Sequence, residues 1–174
     1  MSRSPYLASE DSALLRRALR GDSGGSFLEI GAGNGGNLVE LSKRFGIVVG
    51  TDIAKPSMSD WREAGASYVL AQGAACLRSE QFDLVAFNPP YLAMGGGDDP
   101  AVEGGSSLEV PKAFLCEALR VVKGSGKIVF LLNNQAKLEE FERLCSDAGF
   151  FLERIASERL FFEELTVYSA RSSC

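Results

Sequence analysis

Four residues in succession, Asn88-Pro89-Pro90-Tyr91, have the chemistry to grip a planar nitrogen. An Asn side-chain oxygen beside the carbonyl of Pro89 offers two acceptors, enough for both hydrogens of one amide or exocyclic –NH2 group. Tyr91 adds a flat face on which such a group can rest. The tetrapeptide follows Phe82-Asp83-Leu84-Val85-Ala86-Phe87, an apolar run that reads as a strand, and two prolines take the chain out of the sheet at once. Asn88 is therefore expected at a strand's C-terminal end, the edge at which open α/β sheets bind ligands.

The second set is Glu29-Ile30-Gly31-Ala32-Gly33-Asn34-Gly35-Gly36, a glycine loop between a strand and a helix. A GxGxxG-like string alone is weak evidence, because glycines also make plain tight turns. Here a second strand ends in Asp52, roughly 20 residues further on, where a carboxylate can take both hydroxyls of a ribose. Glu29, inside the strand before the loop, suits a cationic, amino-acid-bearing cofactor. A pyrophosphate would be repelled by it. The chain has no His, and Cys76, Cys116, Cys145 and Cys174 include no CxxC pair, so neither a zinc site nor His-based catalysis is expected. The thiols read as reduced.

These residues need a frame. Ala13, Leu14, Leu15, Ala18 and Leu19 fall at helical spacing, with Ser9-Glu10-Asp11 capping and charging the helix start. Ser26–Ile30 is a short strand, followed by the glycine loop and a helix with Leu38, Leu41 and Phe45 on one stripe. Strands are expected at Ile47–Asp52, Ser67–Leu70, Phe82–Phe87 and Lys127–Leu132. Helices are expected at Ser57–Ala64, from Pro111 to Val122, and from Gln135 to Asp147 with Gly149 closing it. Leu92–Leu108 reads as a loop, and Phe150–Ala156 with Leu160–Ala170 as a terminal hairpin. Strands alternating with helices, then two consecutive strands, predict an α/β doubly wound sheet, mostly parallel with an antiparallel edge.

With 174 residues, one domain is expected, residues 1–24 forming an N-terminal helical segment and 25–174 the cofactor-binding and catalytic fold. A net charge of −5 gives no long-range attraction to nucleic acid. No apolar run approaches the roughly 20 residues of a membrane span, and MSRSPYLASED lacks a signal-peptide core. A soluble protein of the cytoplasm or nucleus is expected, with no membrane partner.

Together, E-I-G-A-G-N-G-G, T-D-I and F-D-L-V-A-F-N-P-P-Y resemble the S-adenosylmethionine-dependent class I methyltransferases that methylate amino groups. N-P-P-Y occurs both in adenine-N6 DNA methyltransferases and in the HemK-type enzymes that methylate the glutamine of the Gly-Gly-Gln motif of release factors. The opening Y-L-A-S-E-D-S-A-L-L and the loop A-V-E-G-G are similar to the short archaeal and eukaryotic HemK-type branch, and no target-recognition domain is expected after the sheet. The resemblance implies a Rossmann-like, seven-stranded sheet with an antiparallel C-terminal hairpin. It implies that Glu29, Asn34 and the backbone of Gly31, Gly33 and Gly35 hold the cofactor's methionine end, and Asp52 its ribose. Asn88 would lie against both cofactor and substrate. With Pro89 it would grip the glutamine –NH2, while Pro90 and Tyr91 pack beside the amide. S-adenosylhomocysteine would be the product. The resemblance further implies a class I release factor as substrate and a small zinc-binding activator subunit forming a heterodimer, with docking by strand addition at Ser67–Leu70.

One feature departs from the family. Relatives place an acid after the third strand to meet the adenine amino group, whereas this chain reads Ala71-Gln72-Gly73-Ala74-Ala75-Cys76. Two other readings stay open: methylation of an amino group in DNA or RNA, and a non-catalytic binding partner with a degenerate cofactor site. Asp98-Asp99 and Glu103 read as solvated loop charges, and the pairs Phe150-Phe151 and Phe161-Phe162 as packing.

Overall fold

A computed structural model describes residues 7–55, 60–90, 109–160 and 163–172. Strands β1 (Gly24–Ile30), β2 (Phe45–Asp52), β3 (Ser67–Leu70), β4 (Phe82–Phe87), β5 (Val122–Asn133), β6 (Phe150–Leu160) and β7 (Glu163–Ser172) form one sheet in the order β3-β2-β1-β4-β5-β7-β6. The first five are parallel, and β7 runs antiparallel to both β5 and β6. The described helices are α1 (Leu7–Ala18), α2 (Gly36–Leu41), α3 (Asp60–Glu63), α4 (Glu109–Val121) and α5 (Leu138–Asp147). None of them is long and apolar enough to cross a membrane.

The central strands read as unbroken apolar runs because both faces of the sheet are covered. Alternate residues point to opposite layers. Phe27, Leu84, Ala86, Val129 and Leu131 meet Leu14, Leu15 and Leu19 of the N-terminal segment and Leu38 and Leu41 of α2. Leu28, Val85, Phe87, Ile128 and Phe130 meet Leu115 and Ala118 of α4 and Phe141 and Cys145 of α5. Leu15 and Leu19 are fully buried, which stabilises the docking of the N-terminal segment by about 1.5–3 kcal/mol each.

The strand bounds read from the sequence for Ser67–Leu70 and Phe82–Phe87 are those observed. Four other expectations are corrected. α1 already includes Leu7, so Ser9-Glu10-Asp11 lie within the helix and do not cap its start. Phe45 is at helical spacing from Leu41, but α2 stops at Leu41 and Phe45 opens β2, paired with Gly24 and with its ring 5.6 Å from Phe27. Val122 opens β5 instead of closing α4. It pairs with Phe82, and the glycine-rich residues before Lys127 are taken up by a register shift. α5 begins at Leu138 because Asn133 Oδ1 accepts from the amide of Gln135 at 3.2 Å, which makes the preceding residues a turn. The segment expected as a loop, Leu92–Leu108 with Asp98, Asp99 and Glu103, lies outside the described residues, as do Tyr91 and Phe161-Phe162.

β1 and β4 are joined at the end remote from the ligand edge by a polar knot. Asp83 accepts from the Ser26 amide at 2.8 Å and from Lys123 Nζ at 2.7 Å. The Lys123 hydrogen bond, helped by Ser26, holds its carboxyl below the usual carboxylate range.

Candidate active site

Strand register brings three sequence positions to one edge. Ile30 pairs with Thr51 on one side and with Phe87 on the other, so Gly31, Asp52 and Asn88 each lie one residue beyond an aligned row. This is the point where the strand order reverses, the ligand crevice of open α/β sheets.

The glycine loop is built around positive φ at Gly31, Gly33 and Gly35, a conformation that excludes most side chains. Asp52 ties the loop to β2. Its Oδ2 accepts from the Gly33 amide at 2.9 Å and its Oδ1 from the Ala54 amide at 2.9 Å. Tyr68 of β3 donates its hydroxyl to the Gly33 carbonyl at 2.7 Å and packs against Trp61, ring centroids 5.3 Å apart. Burial, with help from Asp52 and Glu29, raises the Tyr68 pKa above its ordinary value, so the phenol stays a donor. Asn34 turns inward on the loop itself, its Oδ1 accepting from the Gly36 amide at 3.1 Å.

Glu29 lies on β1 between Gly50 and Ala86 of the neighbouring strands. It is 4% exposed. Its Oε1 accepts from Asn37 Nδ2 at 2.6 Å, while its Oε2 is buried without a partner. Burial pushes the Glu29 pKa up to about 8, against the opposing pull of Asn37 and Arg16, with Asp52 adding to the rise. A carboxyl poised in this way is readily ionised by an arriving cation.

Gly50 is a close-approach site. A Cβ there would lie 2.5 Å from Leu38 Cδ1 and 2.8 Å from Ala32 Cβ. Gly50→Ala is therefore expected to lift α2 from the sheet, costing about 1–3 kcal/mol in denaturant-measured stability and weakening whatever the glycine loop holds.

At the end of β4, Phe87 stacks on Phe130 at 5.0 Å and meets Phe114 of α4 edge-on at 6.0 Å. Phe114 also lies under the glycine loop, 3.2 Å from where a Cβ on Gly31 would be. These contacts fix the residue directly before Asn88. Asn88 Oδ1 is buried and has no hydrogen-bond partner. Pro89 is buried and Pro90 half-buried. Beyond β3, Gln72 is exposed and Ala74 fully buried, and residues 71–76 include no carboxylate.

Glu29, Gly31, Gly33, Gly35, Asp52 and Asn88 thus share one sheet edge, while Asn34 serves the loop's own geometry. Arg16, Asn37, Tyr68 and Phe114 were not anticipated from the sequence. Asn37 carried a legible signal, since it is one helical turn before the core residue Leu41 and a buried amide needs a partner. Arg16 carried none, because its contact depends on how α1 docks. Cys145 is buried with its pKa raised to about 11, an inert thiol, whereas Cys76 and Cys116 are exposed. Among the described residues no group of His, Cys, Asp and Glu could hold a metal.

Comparison with known proteins adds the following. The methyltransferase-domain family profile Methyltransf_11 matches residues 28–89. No curated protein matches by sequence. Among solved structures, the E. cuniculi Mtq2-Trm112 complex, described as responsible for methylation of the eRF1 translation termination factor, is 25% identical with a TM-score of 0.76, covering 94% of this chain and 96% of that one. The YcgJ protein of Bacillus subtilis is 13% identical with a TM-score of 0.68, covering 94% and 98%. Magnesium protoporphyrin IX methyltransferase from Synechocystis, with S-adenosylmethionine bound, is 12% identical with a TM-score of 0.68, covering 99% and 86%. Sheet order, the matched segment and these likenesses make this fold the class I methyltransferase fold.

Proposed function

We propose that this protein transfers a methyl group from S-adenosylmethionine to the side-chain amide nitrogen of a glutamine, that of the Gly-Gly-Gln motif of a class I release factor. The observation that carries this reading is the buried, unpartnered Asn88 Oδ1 at the switch point of the sheet, beside the glycine loop. A buried acceptor without a partner is costly and is retained where a ligand completes it.

When bound, the cofactor supplies an electrophilic methyl on a sulfonium. The chain's residues do the rest. Glu29 Oε2 would meet the cationic amino-acid end, and Asp52 would take the ribose. Asn88 Oδ1 and the Pro89 carbonyl accept the two hydrogens of the –NH2 group. An amide nitrogen is a poor nucleophile because its lone pair is delocalised into the carbonyl. Two acceptors on its hydrogens return electron density to it and stabilise the positive charge that grows as the N–C bond forms and the S–C bond breaks. The proton then leaves to water, so no strong base is required. Tyr91, adjacent in sequence, is assigned the face of the amide.

The same acceptors suit an adenine amino group. The net charge of −5 and the 25% likeness to a protein that methylates a termination factor favour the protein substrate. A small partner subunit fits the β3 edge, a strand of four residues near which Leu70 is 54%, Ile47 60% and Ile53 56% exposed. Following labelled methyl groups onto release factor, onto a release factor with the motif glutamine replaced, onto tRNA and onto duplex DNA, with and without a candidate activator, tests the reading. Label is expected in the first alone. Label in a nucleic acid, or in the glutamine-replaced factor, overturns it.

A further inference from the structure

Glu29 has two oxygens in different circumstances. Oε1 is taken by Asn37 Nδ2 at 2.6 Å, and Oε2 is buried and free. Which way the Asn37 amide points is decided one residue further out. Arg16 Nε donates to Asn37 Oδ1 at 3.0 Å, so the Nδ2 end must face Glu29. A flipped amide would set oxygen against carboxylate and –NH2 against guanidinium. Asn37 is 6% exposed, and Arg16 reaches it from α1, whose docking rests on buried Leu14 and Leu15.

The charges facing Glu29 leave it short of a cation. Arg16 on α1 is the nearby positive group, but it also contacts Glu40 Oε2 of α2 at 3.4 Å, and Asp52 on β2 adds a second carboxylate. Arg16 is thus shared between the Asn37 amide and Glu40, which Arg44 also meets at 3.7 Å, and the Glu29 Oε2 has no cation of its own.

We propose that Asn37, oriented by Arg16, is a positioning residue that occupies one oxygen of Glu29 and presents the other to the ammonium of the cofactor's amino-acid end. This rests on the cofactor reading above. The N-terminal helix thereby acts on the proposed cofactor site through Asn37.

The test uses full-length protein and two readouts. Carbon-13 NMR follows the titration of the Glu29 carboxyl without cofactor, and calorimetry measures affinity for S-adenosylhomocysteine, which has the same amino-acid end. Asn37→Val is expected to raise the Glu29 midpoint by about one pH unit and to weaken binding about 10- to 100-fold. Arg16→Met is expected to move both readouts in the same direction by less. The double variant should fall short of the product of the single effects, because Arg16 acts largely through Asn37. Should Asn37→Val not fold, the isosteric Asn37→Asp, which loses the donor, gives larger shifts in the same direction. Wild-type protein that binds no S-adenosylhomocysteine overturns the cofactor reading and this inference with it. Binding within twofold in all variants, with an unmoved Glu29 midpoint, overturns this inference alone.

Discussion

Asn88→Ala is expected to lower single-turnover methyl transfer about 100-fold or more while leaving S-adenosylhomocysteine affinity within about twofold. The first effect follows from removing one of two acceptors that act as charge develops on the nitrogen. The second follows because most of the proposed cofactor contacts come from β1, the glycine loop and β2, so that Asn88, after β4, is one contact among several. Stability supplies a control. Asn88 Oδ1 makes no hydrogen bond, so its removal breaks none, and the melting temperature should hold or rise. A destabilised, inactive variant would point instead to a structural Asn at the turn. Full activity in a stable variant would remove Asn88 from the mechanism.

Glu29→Gln should do the reverse, costing binding and adding stability at alkaline pH. The Glu29 carboxyl titrates near 8 in the folded protein and near 4.5 when unfolded, because burial penalises its charge. Between those values the folded chain holds a proton that the unfolded chain has released, so this group's contribution to stability is complete below 4.5 and is lost as pH rises to about 8. Glutamine has no such loss. The stability difference in favour of the variant is expected to be constant below the lower value, grow across the window and level off above it, with a total on the order of 3–5 kcal/mol. Denaturant titrations at several pH values read this directly. Affinity for S-adenosylhomocysteine is expected to fall about 100-fold or more, since the ammonium loses its buried counter-charge. Parallel stability curves from pH 4 to 9 would show that Glu29 is already ionised in the free protein.

The sequence specified strands best where chemistry bounds them. Pro89-Pro90 fixes the end of β4 and Gln72-Gly73 follows close on β3, so those two strands were legible to the residue. Phe45 was misplaced because one extra helical step past Leu41 is indistinguishable, by spacing, from the first residue of a strand. Its preference for Phe27 is a tertiary fact. Glu29, Asp52 and Asn88 could be proposed because each is a polar residue within or at the end of an apolar run. Arg16 was not, since an Arg beside buried Leu15 reads as the wet side of a helix until the docking of α1 is known. The face of the amide assigned to Tyr91 remains a proposal drawn from its place in the tetrapeptide.

The sheet consists of two contiguous pieces of chain, β3-β2-β1 from residues 24–70 and β4-β5-β7-β6 from residues 82–172, joined at β1 and β4. The first piece carries the groups proposed for the donor, and the second carries those proposed for the acceptor. Their alignment rests on the short ladder from Phe27↔Leu84 to Ile30↔Phe87, pinned below by Asp83. A slip of one residue along that ladder would carry Asn88 about 3.3 Å, more than the distance a methyl group travels, and reverse every side chain on β4. The two halves are thus free to diverge separately in sequence, one toward a cofactor and one toward a substrate, provided that this one seam stays in step.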